Sequence, residues 1–180
     1  MDAIELLKHD HRMVEQLFRD FRAAGSDQQR RAVAEVLIRE LSKHAAVEET
    51  LFYPFAARVL DGEAMVDRQL AQHMLVKHLL VELDRVQAGD PQQHQLMRQM
   101  ESAVSDHIGS EERELMPRLS MAADDESLRE LGHEIDDGKR HAPTRAHPHA
   151  PDRPPALTLA APVAGIYDRL RDRLQGRPRT

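Results

Sequence analysis

The sequence predicts an all-α protein: an up-down-up-down four-helix bundle followed by a Pro-rich linker and a short C-terminal helix. Three observations carry this expectation. Four long segments repeat apolar residues at alternating spacings of three and four, the period of one helix face. The breaks between them are short and rich in Gly, Asp or Ser, so successive helices pack antiparallel. The composition, 41% hydrophobic and 31% charged with only 3% aromatic residues, suits an aliphatic core and a charged surface.

The first segment runs from about Ala3 to Ala23 and ends at Gly25-Ser26-Asp27. Its stripe is Ile4, Leu7, His11, Val14, Phe18 and Phe21. The second runs from Asp27, the expected N-cap, to Leu60, with Pro54 expected to kink it or close its regular part. Its stripe is Val33, Leu37, Leu41, His44, Glu48, Leu51 and Phe55. The third covers about Glu63 to Gln87, with Val66, Leu70, His73, Lys77, Leu80 and Asp84 along one face. Asp90 and Pro91 form a start signal for the fourth, which runs to about Ala122 with Pro117 near its end. That stripe is Met97, Met100, Val104, His107, Glu111 and Leu115.

These segments set the expected domain limits. Residues 1–122 form the bundle, and 123–138 a short helical extension capped by Gly138. Residues 139–162 hold six prolines together with His141, His147 and His149, and are expected to be an extended, dispensable linker. Residues 163–180 form an amphipathic helix, which could dock on the bundle, pair with another chain or touch an anionic surface.

Several function classes are excluded or disfavoured. The chain has no Cys, so disulfides, thiolate zinc sites and iron–sulfur clusters are ruled out. No apolar run approaches the roughly 18 residues of a membrane span, and the charged N-terminus lacks a signal-peptide core. A cytoplasmic location is expected. A net charge of −6 argues against nonspecific nucleic-acid binding.

The informative residues are the polar ones inside the apolar stripes. Each helix places one His in its seam: His11, His44, His73 and His107. Two helices add a Glu one turn later, Glu48 and Glu111. A buried, ionised Glu without a counter-charge costs several kcal/mol. A metal cation supplies that charge, and an imidazole–carboxylate set suits iron or manganese better than a soft-ligand metal. His9, His78 and His94 fall off the stripes and are expected outside the site. Taken alone, a core His is more often merely hydrogen-bonded. A metal-free interaction bundle and a non-catalytic iron-binding or iron-donating protein therefore stand as alternatives. A ferritin-like site is disfavoured, because its Glu-x-x-His motif has the opposite order and a different spacing.

The stretches Asp10-His11-Arg12, HAAVEETLFYP (44–54), QHMLVKHLLVEL (72–83) and HIGSEERELMPRL (107–119) resemble the hemerythrin family, in its HHE cation-binding branch. The resemblance implies a non-heme centre of two iron ions, bridged by two carboxylates and an oxo or hydroxo group. It implies a small diatomic or peroxide partner: O2, peroxide or nitric oxide. His11, His44, His73 and His107 would be terminal ligands, with Glu48 and Glu111 as bridges. One position departs from the family. Where hemerythrins carry a second third-helix His, this chain has Lys77. One iron then has an open position, or takes water or a carboxylate such as Glu82. An exchangeable position favours peroxide or nitric oxide chemistry over reversible O2 carriage.

Overall fold

The computed structural model describes residues 1–149 and 156–174, and every regular element among them is helical. The order is α1 (Ala3–Ala23), α2 (Asp27–Val47), a π-helical turn π1 (Glu48–Phe52), α3 (Tyr53–Leu60), α4 (Glu63–Arg85), α5 (Gln92–Ser110), a second π turn π2 (Glu111–Leu115), α6 (Met116–Ala122), α7 (Asp125–His141) and α8 (Ala156–Leu174). Four arms make the bundle: α1, then α2–π1–α3, then α4, then α5–π2–α6. The expected antiparallel four-helix architecture is the observed one.

Local chemistry fixes the arm ends. Asp2 caps α1 by accepting from Glu5 N at 2.8 Å, while Glu5 reaches back to Asp2 N in a capping box. Ser26, and not the expected Asp27, caps α2 by accepting from Gln29 N. Asp27 instead pairs with Arg30. Asp61 closes α3 with a left-handed φ of 46°.

The second and fourth arms differ from the expectation of a proline kink or end. Each passes through a π turn that inserts one residue into the helix, so Tyr53 N bonds back to Glu48 O and Met116 N to Glu111 O. Pro54 and Pro117 follow directly, at the start of the next α segment, where a missing N–H is tolerated. The proline therefore costs no break.

The buried apolar residues fall into two clusters. One is built on Ile4, Leu7, Phe52, Leu70, Leu115 and Leu119, and takes in Leu128, Leu131 and Ile135 of α7. The other is built on Val14, Phe18, Leu37, Leu80, Met100 and Val104. His11, His44 and His73 lie in sequence between the two clusters on the first three arms, and His107 lies at the edge of the second cluster on the fourth, as a buried polar layer.

Beyond the bundle the structure corrects three expectations. Helix α7 does not end at Gly138 but continues to His141. Gly138 serves close packing and not a cap: a Cβ there would stand 3.2 Å from Leu51 and 3.4 Å from Val47. Residues 139–149 are not a free linker. Thr144 and Arg145 are buried, and their amide N–H groups donate to Asp168 on α8 at 3.1 and 3.0 Å. Arg145 also pairs with Glu35 and Asp172. The rest of the expected linker includes residues 150–155, which lie outside the described residues. Finally, α8 docks through its charged face, with Asp168 buried, and leaves Ile166, Tyr167, Leu170 and Leu174 exposed.

Candidate metal centre

The six side chains singled out by their seam positions converge between the four arms. All are buried, with Glu48 and Glu111 fully so. Glu48 faces two ways: Oε1 lies 3.1 Å from His44 Nε2, and Oε2 lies 3.1 Å from His73 Nε2 and 3.8 Å from His107 Nε2. Glu111 Oε2 lies 3.4 Å from His11 Nε2 and 3.6 Å from His107 Nε2. Two groups of donor atoms result. His11, His44, Glu48 and Glu111 each bring one ligand atom within 4.8 Å of all the others, and so do Glu48, His73 and His107. Glu48 belongs to both.

These donors fit a metal better than they fit one another. His11 Nε2, His44 Nε2, Glu48 Oε1 and Glu111 Oε2 are all buried without a hydrogen-bond partner. His44 Nε2 and Glu48 Oε1 are close, yet not aligned for a proton between them. Buried polar atoms left without partners are rare and call for an explanation. Two donors bound at right angles to one ion at about 2.1 Å are roughly 3 Å apart, which is the spacing seen here.

A ring of outer groups orients the imidazoles through their other nitrogen. His11 Nδ1 lies 2.8 Å from Glu112 Oε1, His44 Nδ1 lies 3.2 Å from Asp10 Oδ2, and His73 Nδ1 lies 3.0 Å from Glu49 Oε1. His107 Nδ1 has no partner. Lys77 does not reach the centre. Its ammonium donates to Glu49 Oε2 at 2.6 Å, so the residue at the missing-ligand position supports His73 through Glu49. Glu82 is exposed and supplies nothing, and His9, His78 and His94 are exposed as well.

Tyr53 was not among the expected site residues. It is buried, and its hydroxyl donates to Glu111 Oε1 at 2.8 Å, with His73 Nε2 at 3.0 Å and Glu48 Oε2 at 3.5 Å. In a regular α-helix a residue five beyond Glu48 would be turned roughly 140° away. The π turn brings it back to the same face. The repeated Glu-Glu followed by a Pro was the available signal, and it did not say that a phenol would enter the site.

The electrostatics follow from packing two carboxylates among four imidazoles. Burial pushes Glu48 up, but His44, His107 and His73 outweigh it and hold the carboxyl well below the usual range. Burial pushes His44 down, yet Glu48 and Asp10 lift it to about 10. His73 is likewise lifted to about 9 against burial by Glu48 and Glu49. His107 is lowered, by burial first and then by the neighbouring charge of His73. Tyr53 is raised well above its ordinary value by burial and by the charges of Glu111 and Glu48, so its hydroxyl stays protonated. In the metal-free chain, protons on His44 and His73 offset the carboxylates.

Comparison with known proteins identifies the family. The model of the hemerythrin HHE cation-binding domain matches residues 2–119. The chain belongs to that family, and its helical bundle is a cation-binding domain. It is 26% identical over 171 residues to an uncharacterised hemerythrin-like protein of Schizosaccharomyces pombe, spanning 94% of this chain and 84% of that one. The crystal structure of a hemerythrin HHE cation-binding domain-containing protein from Mycobacterium kansasii is similar at 25% identity and a TM-score of 0.67, covering 78% of this chain and 86% of the other. A DNA nickase of Nostoc is 24% identical over 119 residues, but those residues are only 34% of its length. Among the described residues no helix is long and apolar enough to cross a membrane.

Proposed function

We propose that His11, His44, His73, His107, Glu48 and Glu111 hold two iron ions, with the two carboxylates shared between them, and that the centre binds or processes O2, peroxide or nitric oxide. One observation carries this reading. Four buried donor atoms, His11 Nε2, His44 Nε2, Glu48 Oε1 and Glu111 Oε2, have no hydrogen-bond partner among the described residues, and their four residues each bring a ligand atom within 4.8 Å of the others. Family membership supports a cation, and the imidazole–carboxylate set supports iron over softer metals. Bound iron would supply electron exchange with a small oxidant.

The protein's own groups do the rest. Glu48 directs one oxygen to each half of the centre. With both carboxylates shared, each half has two imidazoles, His11 and His44 on one side and His73 and His107 on the other, and two carboxylates. Lys77, tied to Glu49, adds none. The half around His73 and His107, with Lys77 in place of a further imidazole, therefore keeps a position for an exchanging small molecule. The Tyr53 hydroxyl stands beside His73 as a protonated hydrogen-bond donor. This favours peroxide or nitric oxide chemistry over simple O2 carriage. The buried layer keeps bulk water and larger substrates out.

The test is anaerobic purification from iron-supplemented cells, metal quantification, and optical spectra after separate additions of O2, peroxide and nitric oxide. About two irons per chain are expected, with spectral changes on addition of peroxide or nitric oxide. A chain without near-stoichiometric metal would sink the reading. A loaded chain inert to all three molecules would leave only iron storage or donation.

A further inference from the structure

Helix α7 lies beyond the segment 2–119 matched by the family model, yet it reaches the metal layer. Lys139 Nζ donates to Asp10 Oδ2 at 2.5 Å, and the same oxygen lies 3.2 Å from His44 Nδ1. The opposite half of the centre has a matching chain: Lys77 Nζ to Glu49 Oε2 at 2.6 Å, and Glu49 Oε1 to His73 Nδ1 at 3.0 Å. The third outer carboxylate, Glu112 beside His11, is 32% exposed and has no lysine. Asp10 and Glu49 are only 8% and 1% exposed, and each has one. A buried carboxylate needs a counter-charge if it is to stay in place as an acceptor.

We propose that Lys139 is a positioning residue for His44, acting through Asp10, and that α7 is a working part of the half of the centre formed by His11, His44, Glu48 and Glu111. This inference rests on the metal reading above and adds to it a residue from outside the family segment. With its ammonium on Asp10 Oδ2, Lys139 fixes the carboxylate that orients the His44 ring, so that Nε2 points at Glu48. The packing of α7 places Lys139 there. Leu128, Leu131 and Ile135 seat the helix in the core, and Gly132 lets it press against the start of α1, where a Cβ would stand 2.8 Å from Met1 O. Lys139 itself is one-fifth exposed and is not a member of that apolar cluster. Removing its charge therefore tests the relay and not the seat of the helix.

The experiment titrates the full-length, metal-free chain with iron(II) under anaerobic conditions, in the presence of a competing chelator. Wild type is compared with Lys139→Met, Lys139→Arg and Leu131→Ala. Lys139→Met should bind one of the two equivalents about tenfold or more weakly, and Lys139→Arg should recover most of that loss. Leu131→Ala should lower the melting temperature while leaving both affinities near wild type. Two full-affinity irons in Lys139→Met would overturn this inference and leave the metal reading standing. So would equal weakening by Leu131→Ala and Lys139→Met, since the effect would then be packing alone. A wild-type chain that takes up no iron overturns the metal reading, and this inference with it.

Discussion

Replacing Glu48 with Gln keeps the shape of the side chain and removes its charge. From the sequence, a bridging glutamate looks dispensable to the metal-free bundle, since removing a buried charge relieves a cost. The structure reverses that sign. In the metal-free chain Glu48 is the main support for protonated His44, raised to about 10, and for protonated His73, raised to about 9. One pKa unit corresponds to about 1.4 kcal/mol, so the rises from 6.5 to about 10 at His44 and to about 9 at His73 amount to about 5 and about 3 kcal/mol before sharing. Asp10 and Glu49 remain in the variant and keep part of this. A loss of about 3 kcal/mol at pH 7 is expected, in line with breaking a buried ion pair from one side. Both imidazoles are raised in the folded chain. Their contribution is therefore complete below about pH 6.5 and disappears as pH climbs through about 9 and about 10. Urea denaturation of chelator-treated protein at pH 7 and above pH 10 should show a large gap between wild type and Glu48→Gln at the lower pH and a small one at the higher. Equal stability at pH 7, with the same slope against pH, would refute the reasoning.

Three further outcomes are expected. Loading the metal-free chain should release about two protons, from His44 and His73, and affinity should strengthen as pH rises toward about 9. Titration in two buffers of different ionisation enthalpy measures the release, and its absence would contradict the protonated pair. Tyr53→Phe should keep near-full iron but react with peroxide about 10²-fold more slowly, if its hydroxyl acts as donor; an unchanged rate by stopped-flow would remove Tyr53 from the chemistry. Gly132→Ala should cost about 2 kcal/mol in thermal or urea unfolding by forcing α7 off the start of α1, where the new Cβ would stand 3.0 Å from Ala3 N. Wild-type stability would show that the contact yields easily.

The sequence revealed the centre because its residues interrupt something regular. His11, His44, His73, His107, Glu48 and Glu111 stand in apolar stripes, so the 3.6-residue period picks them out, together with Lys77 and Asp84, which pair elsewhere. Tyr53 and His78 mark the limit of that method. Each lies five residues from a site residue, and a regular helix turns both away by roughly 140°. Helix α4 stays regular, and His78 is exposed as the period requires. The π turn at 48–52 breaks the period, and Tyr53 enters the site. The orienting carboxylates were hidden for another reason. Asp10, Glu49 and Glu112 sit beside site residues in the chain, where acidic residues ordinarily face solvent. Lys139 was hidden because only the tertiary packing of α7 brings it to Asp10. Prolines suggested a free linker after residue 139, but ion pairs at Arg145 and Asp168 hold the described part of it.

The polar layer divides the hydrophobic interior into two clusters that share the same four arms. Each arm is continuous, but between the two clusters the interior holds charges instead of methyl groups. Cooperative unfolding depends on apolar contact passing unbroken through a domain, and regions joined weakly behave as separate foldons. Between the cluster that includes α7 and the cluster around Phe18 and Met100, the side-chain contacts at this level are imidazole–carboxylate contacts. Those contacts weaken above about pH 9. A cation held by all four arms would rivet the two halves into one cooperative unit, so its binding would change how the whole bundle comes apart.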